Sequence, residues 1–202
     1  RPLVYEKNVD PNTFLYELSL AAPKSASVVV DVGQNQMWCA QSWKLKIGQR
    51  VLFSGGMGAM GFALPAAVGA WFANTKADSI VISGDGGIQI NIQELETASR
   101  NNIPMKLFVM NNKSLGMVRE FQDLYFNKNH QSTVTGYGYP DFKKLADAYN
   151  FDYVLISRIQ ENDPIFSEII SRKKPVLVEV DIDVNAQLQP KVVYGHALDD
   201  QA

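Results

Sequence analysis

The chain has 202 residues, 46% hydrophobic and 20% charged, a size that closes one sizeable core rather than several. Nineteen basic and 21 acidic residues leave a formal net charge of -2, so no broad positive field exists and no nucleic-acid partner is expected. Cys39 is the only cysteine, which excludes an intrachain disulfide and favours a reducing, cytoplasmic compartment.

β-branched runs and helix-period segments alternate along most of the chain, a pattern typical of a parallel sheet covered by helices on both faces. The sequence therefore predicts a doubly wound α/β fold with a mainly parallel sheet of about six strands, in a single domain over 1–202 with an irregular tail over 183–202. In chain order, helices are predicted at 10–22, 64–73, 92–101, 141–149 and 164–172, and strands at 27–31, 51–54, 79–83, 106–110, 153–156 and 176–180.

The ends of the chain and its apolar segments bear on its context. The first eight residues contain neither an initiating methionine nor a secretory core, and we interpret the chain as a piece of a longer protein. The longest apolar-rich segment, 61–73, is shorter than the roughly 20 residues of a membrane span, so no membrane partner is expected.

A glycine-rich segment follows one of the buried strands. Gly84, Asp85, Gly86 and Gly87 come directly after the predicted strand 79–83. In an open parallel sheet, ligands bind beyond the carboxyl ends of the strands, where glycines let the backbone approach a phosphate. Alone, this segment is equally compatible with a tight turn stabilised by an Asx hydrogen bond.

A second polar segment lies one strand-helix-strand unit later. Asn112 follows Asp85 by 27 residues and also stands at the end of a predicted strand. Neighbouring parallel strands would place the Asp85 carboxylate and the Asn112 carbonyl side by side, and both are hard oxygen ligands of the kind that Mg²⁺ accepts. One carboxylate leaves such a site short of negative charge, which a diphosphate would supply. The paired spacing therefore favours a metal-diphosphate site over two ordinary turns.

The Gly-Asp-Gly at 84–86 followed by Asn-Asn at 111–112 resembles the signature of thiamine diphosphate enzymes. Three further blocks, 32–38, 54–62 and 112–118, resemble the catalytic subunit of acetohydroxyacid synthases, also called acetolactate synthases. The resemblance is specific from about 31 to 122 and looser elsewhere. It implies that the chain is the C-terminal, thiamine diphosphate-binding domain of such an enzyme.

The resemblance also implies roles for individual residues. Asp85 and Asn112 would bind Mg²⁺ through their side chains and Ser114 through its backbone carbonyl, with two diphosphate oxygens and a water completing the octahedron. The family usually has His at the position of Asn35, so a proton relay through that position is in doubt. The residues that would contact the cofactor are Gly33, Gln34, Asn35, Gly58, Met60, Gly84, Asp85, Gly86, Gly87, Asn112, Ser114, Leu115, Gly116 and Met117.

Four residues would lie at the reacting end of the cofactor. The resemblance makes Gly58 the residue whose carbonyl accepts from the aminopyrimidine and Met60 the apolar wedge beneath the cofactor. Met117 and Phe121 are four residues apart and would share one helix face over the substrate. The family typically has Trp at the position of Phe121, where it favours 2-oxobutyrate as second substrate, so Phe121 points to plain acetolactate formation or to transfer to another carbonyl, such as a keto sugar.

Two parts of the resembled synthases do not fit within 202 residues. One is the pyrimidine-binding domain, whose glutamate completes the site across a subunit boundary, and the other is the middle domain, which holds FAD in the synthases that keep it. The resemblance therefore implies a pyrimidine-binding domain of the same or a partner subunit, a homo-oligomer, and pyruvate and a second carbonyl compound as substrates. We interpret the chain as an excised domain or one subunit of a split enzyme, and expect it to be inactive alone.

Two alternatives stay open. One is another thiamine diphosphate-dependent 2-oxo acid decarboxylase, oxidase or carboligase, and the other is a non-catalytic cofactor-binding module. Residues outside the signature blocks receive structural interpretations: His130 and His196 as solvated or capping side chains, the pair 71–72 as core, and the basic run 172–174 as a helix C-terminus.

Overall fold

The computed structural model describes residues 8–190. This part of the chain contains a sheet of six strands, all parallel, with helices packed on both faces. The strands are β1 Ser27–Val30, β2 Arg50–Phe53, β3 Ser79–Gly84, β4 Lys106–Asn111, β5 Asp152–Ile156 and β6 Val176–Asp181. The helices are α1 Pro11–Ala21, α2 Gln34–Ser42, α3 Ala63–Ala73, α4 Gly87–Ile90, α5 Glu94–Arg100, α6 Gly116–Tyr125, α7 Phe142–Ala148 and α8 Pro164–Ser171. The doubly wound α/β prediction is confirmed.

The central strands form because their side chains are apolar on both sides. All six residues of β4 are buried, as are the first five of β3 and the last three of β1. Such continuous apolar runs need a cover on each face, and the helices provide it. One face packs against α1 and α8, where Phe14 lies 5.3 Å from Phe166 and 5.9 Å from Phe108, centroid to centroid. The other face packs against α3, α5 and α7.

Three helices begin where local sequence chemistry predicts. The side chains of Asp10, Asp141 and Asp163 each accept a hydrogen bond from a backbone N–H in the first turn of α1, α7 and α8. In α1 and α8 a proline follows the capping aspartate, where its missing N–H costs nothing. These caps fix three of the helix starts from sequence alone.

The strand order β2-β1-β3-β4-β6-β5 places a topological switch between the neighbouring strands β1 and β3. From β1 the chain moves outward to β2, and it then returns to β3 and moves in the opposite direction. The connections that leave β1 and β3 therefore diverge, and they open a crevice at the carboxyl ends of these strands. Motifs that follow β1, β3 and β4 all face this edge.

The structure adds detail to the sequence prediction in three segments. Residues 34–42, for which no helix is predicted, form α2. The helix expected over 92–101 begins at Glu94, because the short α4 and a turn precede it. The tail after residue 183 is irregular up to residue 190, but Ala186 and Leu188 are buried in the core.

No helix within residues 8–190 is long and apolar enough to cross a membrane.

Candidate active site

A cavity opens at the carboxyl ends of β1, β3 and β4, at the switch in strand order. It is lined by backbone and side chains from the segments that follow these strands, together with one residue of the glycine-rich loop before α3. The lining residues are Val32, Gly33, Gln34, Asn35, Trp38, Met60, Gly84, Asp85, Gly86, Gly87, Met110, Asn112, Ser114, Leu115, Gly116, Met117 and Val118.

Two helices of nine and ten residues, α2 and α6, point their N-termini at this cavity. The first residues of a helix have backbone N–H groups without intrahelical partners, and the helix dipole adds partial positive charge there. No side chain caps the first turn of either helix. The backbone before α2 reaches this geometry through Gly33, whose φ of 147° is readily adopted only by glycine. The cavity is therefore suited to an anion.

Asp85 supplies the acidic group of the cavity. It directly follows β3 and is 1% exposed, and the Tyr137 hydroxyl donates to its Oδ2 atom at 3.0 Å. Burial raises the pKa of Asp85 to about 7, although the Tyr137 hydroxyl and nearby backbone N–H groups favour the ionised form. Burial and the adjacent carboxylate also raise the pKa of Tyr137. The ionised Asp85 carboxylate thus lacks full compensation among the described residues, and a cation in the cavity would provide it.

Asn112 and Ser114 line the cavity from the segment that follows β4. The Asn112 Oδ1 atom accepts from the Ser114 backbone N–H at 3.2 Å, and its Nδ2 atom donates to Gln34 Oε1 at 2.7 Å. An amide oxygen carries two lone pairs, so Oδ1 retains acceptor capacity. The Ser114 hydroxyl is buried and has no hydrogen-bond partner among the described residues. Both residues therefore offer oxygen atoms to a ligand in the cavity.

Several positions that line the cavity require glycine, because atoms of neighbouring residues fill the space that a Cβ atom would occupy. A Cβ atom at Gly86 would lie 2.6 Å from Leu115 Cδ2, and one at Gly87 would lie 2.4 Å from Asp31 Oδ2. A Cβ atom at Gly116 would lie only 1.8 Å from Gln34 Oε1. Side chains at these positions would displace the groups that shape the cavity.

Asp31 joins the three loops around the crevice. Its Oδ1 atom accepts from the backbone N–H groups of Val32 and Gly61, both at 2.8 Å, and its Oδ2 atom accepts from the Ser83 hydroxyl at 2.8 Å. Burial raises the pKa of Asp31, while these hydrogen bonds favour its charged form. The carboxylate ties the start of α2, the loop before α3 and the end of β3 together.

The structure brings most of the predicted site residues together and leaves two outside the cavity. Gly58 has a φ of 65° in an exposed loop, and Phe121 is 54% exposed on α6; neither lines the cavity. Met60 and Met117 line it and are 38% and 41% exposed. Asn35 lines it as well, with its Nδ2 atom donating to the Asp31 carbonyl at 2.9 Å.

Sequence reasoning missed Asp31 and Tyr137. Asp31 carries a recognisable signal, an acidic residue directly after a buried apolar strand. Tyr137 carries none, because it lies in a turn-rich segment between α6 and α7 and reaches Asp85 only through the fold.

The composition of the cavity limits what it can hold. In the part of the chain that the structure describes, the lining residues include no Lys, Arg or His. No group of three His, Cys, Asp or Glu side chains within residues 8–190 could hold a metal ion by itself. A metal would therefore need amide and carbonyl oxygens and an anionic ligand beside Asp85, which is the oxygen-rich, shared coordination that Mg²⁺ favours. The residues present fit a magnesium-diphosphate group.

Comparisons with known proteins agree with this geometry. Residues 31–180 match the model of the family described as thiamine pyrophosphate enzyme, C-terminal TPP binding domain. Among solved structures, a thiamine diphosphate-dependent 4-hydroxybenzoylformate decarboxylase from Rhodococcus jostii has a TM-score of 0.79 over 92% of this chain and 34% of its own. At 24% sequence identity, that likeness supports the fold alone.

Several acetolactate synthases are similar in sequence. The chain is 35% identical over 195 residues to the mitochondrial catalytic subunit from Saccharomyces cerevisiae, covering 95% of this chain and 28% of that protein. It is 38% identical over 173 residues to the isozyme 1 large subunit from Escherichia coli, covering 86% and 31%. It is 41% identical over 178 residues to a probable large subunit from Methanocaldococcus jannaschii, covering 87% and 29%. The chain thus spans about a third of the length of these relatives, and it belongs to the family of C-terminal TPP binding domains of thiamine pyrophosphate enzymes.

Proposed function

We propose that this chain forms the diphosphate and metal half of the active site of a thiamine diphosphate- and Mg²⁺-dependent enzyme of the acetolactate synthase type. Such an enzyme decarboxylates pyruvate and joins the two-carbon unit to a second 2-oxo acid. One observation carries the proposal: two uncapped helix N-termini and the oxygen atoms of Asp85, Asn112 and Ser114 meet in one cavity that has no basic side chain among its described lining residues. A diphosphate held there needs a divalent cation to balance its charge.

Three residues would bind the metal through oxygen atoms. Asp85 would supply the charged ligand, Asn112 its Oδ1 atom and Ser114 its backbone carbonyl. The adjacent strands β3 and β4, paired in register from Ile80↔Lys106 to Gly84↔Met110, hold the two segments next to each other. The rigid sheet edge thus sets the spacing between ligands before any metal arrives.

The diphosphate contacts would come mainly from backbone. Gly33, Gln34 and Asn35 stand at the start of α2, Gly84, Gly86 and Gly87 follow β3, and Leu115, Gly116 and Met117 begin α6. N–H groups at a helix start attract phosphate without the desolvation cost of burying a lysine. The glycines keep side chains away from this surface.

The reacting end of the cofactor would lie toward Gly58, Met60 and Met117. When bound, thiamine diphosphate stabilises the negative charge left by loss of carbon dioxide from a 2-oxo acid. The Met60 side chain would shape the wall of the cavity, which it reaches from the loop before α3. Its Cε atom lies 3.5 Å from the position that a Cβ atom on Gly86 would take. Met117 contributes an apolar wall that excludes water.

A second domain would cover the cavity. Met57 is 93% exposed in the loop that leads to Met60, and Phe121 is 54% exposed four residues after Met117 on α6, so apolar surface continues from both cavity-lining methionines. Large exposed apolar side chains at one rim are typical of an interface. We infer that a pyrimidine-binding domain, from the same or a partner subunit of a homo-oligomer, rests on this rim.

Some relatives are named as mitochondrial or chloroplastic, so a cytoplasmic location does not follow from family membership.

The acceptor is the least constrained part of the proposal. Phe121 stands where acetohydroxyacid synthases have Trp, and its ring packs 4.6 Å from that of Tyr125 on the exposed face of α6. If Phe121 reaches over the bound cofactor, its smaller ring would leave more room for the acceptor, which suits pyruvate or another carbonyl compound. Incubation of the full-length protein with pyruvate, followed by product analysis, distinguishes acetolactate from the acetaldehyde or acetate of a decarboxylase or oxidase.

The metal assignment is tested by substituting its oxygen ligands. Asp85→Ala and Asn112→Ala are expected to weaken Mg²⁺-dependent binding of thiamine diphosphate, since each removes an oxygen that the metal cannot replace with equal geometry. Asp78→Ala is a matched control, because Asp78 precedes the same strand that Asp85 follows and lies at the opposite edge of the sheet. Cofactor binding is measured in the full-length protein across a magnesium titration. Wild-type binding at limiting Mg²⁺ in both site variants would refute the proposal.

A further inference from the structure

A chain of hydrogen bonds connects the Asn112 amide to a carboxylate on α6. Asn112 Nδ2 donates to Gln34 Oε1 at 2.7 Å, and Gln34 Nε2 donates to Glu120 Oε1 and to the Ala186 carbonyl, the latter at 3.1 Å. Asn112, Gln34 and Glu120 are 4%, 3% and 7% exposed. The sequence motif includes Asn112 and Gln34 but gives no role to Glu120.

The chain has a direction that two acceptors determine, the Glu120 carboxylate and the Ala186 carbonyl, because both receive the Gln34 NH₂ group. An amide has a donor end and an acceptor end of nearly equal shape, so packing alone does not decide which end points where. An ionised carboxylate only accepts, and Glu120 Oε1 also accepts from the Leu188 backbone N–H at 2.9 Å. Gln34 must therefore present its NH₂ group to Glu120 and its oxygen to Asn112. Asn112 must in turn present its NH₂ group to Gln34, which leaves Oδ1 on its other side.

We propose that Glu120 is a positioning residue that acts through Gln34, together with the Ala186 carbonyl and the Ser114 backbone N–H, to hold the Asn112 amide with oxygen rather than nitrogen toward the metal. The inference rests on the proposed role of Asn112 as a magnesium ligand. It goes further by assigning the selection of the ligand atom to a carboxylate that does not line the cavity. If the Asn112 amide had the opposite orientation, its N–H groups would face the cation and repel it.

The space at Gly116 supports this arrangement. A Cβ atom there would meet Gln34 Oε1 at 1.8 Å and Asn112 Nδ2 at 2.6 Å, so the two amides occupy the place of a side chain. The C-terminal segment closes the other side, because Ala186 and Leu188 contribute backbone groups to Gln34 and Glu120. The Gln34 side chain is thereby confined between α6 and the segment after β6.

The preceding residue offers a matched control. Asn111 Nδ2 donates to Glu179 Oε1 at 2.7 Å, and Glu179 Oε2 accepts from the Tyr153 hydroxyl at 2.6 Å. A carboxylate thus fixes the amide of Asn111 as well, but Asn111 does not line the cavity. Loss of Glu179 should disturb a similar network without affecting the metal.

The experiment compares Glu120→Met, Glu120→Gln and Glu179→Met in the full-length protein. Apparent Mg²⁺ affinity is measured with thiamine diphosphate present, by isothermal titration and by intrinsic tryptophan fluorescence, to which the cavity-lining Trp38 contributes. Removing one charge-assisted hydrogen bond from the chain is expected to weaken apparent Mg²⁺ binding on the order of fivefold in Glu120→Met. Glu120→Gln should lie near wild type, because a Gln carbonyl can turn toward Gln34. Glu179→Met should match wild type.

A second background separates positioning from general loss of structure. In Asn112→Asp, residue 112 has no donor, so Gln34 must turn its NH₂ group toward Asp and its oxygen toward Glu120 and the Ala186 carbonyl, of which the charged Glu120 carboxylate repels it more strongly. Replacing Glu120 by Gln or Met should therefore strengthen Mg²⁺ binding in the Asn112→Asp background, although Met weakens it in the Asn112 background. A purely structural role would weaken binding in both backgrounds. If Glu120→Met fails to fold, a comparison of Glu120→Gln in the Asn112 and Asn112→Asp backgrounds still shows whether loss of the carboxylate strengthens or weakens Mg²⁺ binding.

The outcomes distinguish this inference from the proposed function. Absence of Mg²⁺-dependent cofactor binding in wild type, or unchanged binding in Asn112→Ala, contradicts the proposed function itself. If wild type binds and Asn112→Ala does not, then wild-type affinity in Glu120→Met, equal weakening in Glu179→Met, or weakening by Glu120 substitutions in the Asn112→Asp background overturns the positioning role alone.

Discussion

Gly116→Ala adds one methyl group where the structure leaves no space. The new Cβ atom would lie 1.8 Å from Gln34 Oε1 and 2.4 Å from Gln34 Cδ, so the Gln34 side chain must leave its position. That movement breaks its hydrogen bonds with Asn112, Ala186 and Glu120. Asn112 and Glu120 are left buried with fewer partners.

The expected loss exceeds the gain in helix propensity. Two neutral hydrogen bonds contribute about 1 kcal/mol each and the bond to the carboxylate about 2 kcal/mol. Alanine stabilises a helix relative to glycine by at most about 1 kcal/mol. The net change in the free energy of unfolding is therefore a destabilisation of roughly 3 kcal/mol, concentrated at the start of α6 and α2.

Gly69→Ala is the matched control for this substitution. Gly69 is an exposed residue inside α3, and a Cβ atom there would have no heavy atom within 4 Å. The same methyl group should stabilise the protein at that position by roughly 0.5–1 kcal/mol. Denaturant unfolding of the full-length variants shows whether each substitution raises or lowers the free energy of unfolding. Hydrogen exchange of peptides from α2 and α6 localises the effect of Gly116→Ala. If Gly116→Ala is as stable as Gly69→Ala, Gln34 moves aside without cost and the reasoning is refuted.

Three further predictions concern the core and its titrating groups. Phe108→Ala should lower the free energy of unfolding by about 3–5 kcal/mol because the ring is fully buried, whereas Phe72→Ala, at a 56% exposed position, should change it by less than about 0.5 kcal/mol in denaturant titrations. Burial raises the pKa of Cys39 to about 12, so at pH 8 its thiol should react with a disulfide reagent only after unfolding; rapid labelling of the native protein would contradict its burial. Burial lowers the pKa of Lys106 from 10.5 to about 8, so the unfolded chain binds more protons between these values and stability should rise with pH in that window. Lys106→Met should remove that slope.

The sheet and three of its helix starts could be predicted because their signals are local. Apolar runs such as the one in β4 need no distant partner to be recognised, and Asp10 followed by Pro11 specifies a helix start by itself. The convergence of Asp85 and Asn112 was also accessible, since it needs only that consecutive parallel strands are neighbours.

Features that depend on distant contacts could not be predicted in this way. α2 lacks a continuous apolar stripe and has only two buried apolar residues, Trp38 and Cys39, so its packing against α1 and the sheet sustains it. Residues 186 and 188 are buried because Arg119 and Glu120, more than 60 positions earlier, bind their backbone. The prediction that the pair 71–72 belongs to the core is confirmed for Trp71, which packs against the core, and wrong for Phe72, which is exposed in the last turn of α3.

Of the two histidines, His130 pairs with Asp123 at 2.6 Å, away from the cavity, and His196 lies outside the described residues. The roles of Gly58 and Phe121 at the cofactor stay predictions. Neither residue lines the cavity, and each would contact a part of the cofactor, or the pyrimidine-binding domain, that lies outside it.

The position of β6 between β4 and β5 has a consequence for the order of assembly. β5 leaves the ribosome before β6, yet its neighbour in the sheet is β6, so it has no template until residues 176–181 are present. The segment that follows β6 then contributes the backbone groups that confine Gln34 and Glu120. Pairing between strands that are distant in sequence is slow, and a nascent chain exposes the unpaired edge of β4 meanwhile. The ligand-binding edge is therefore not complete until residues 176–188 have been synthesised, and a stalled chain that ends before residue 176 would contain every motif of the site without a finished site.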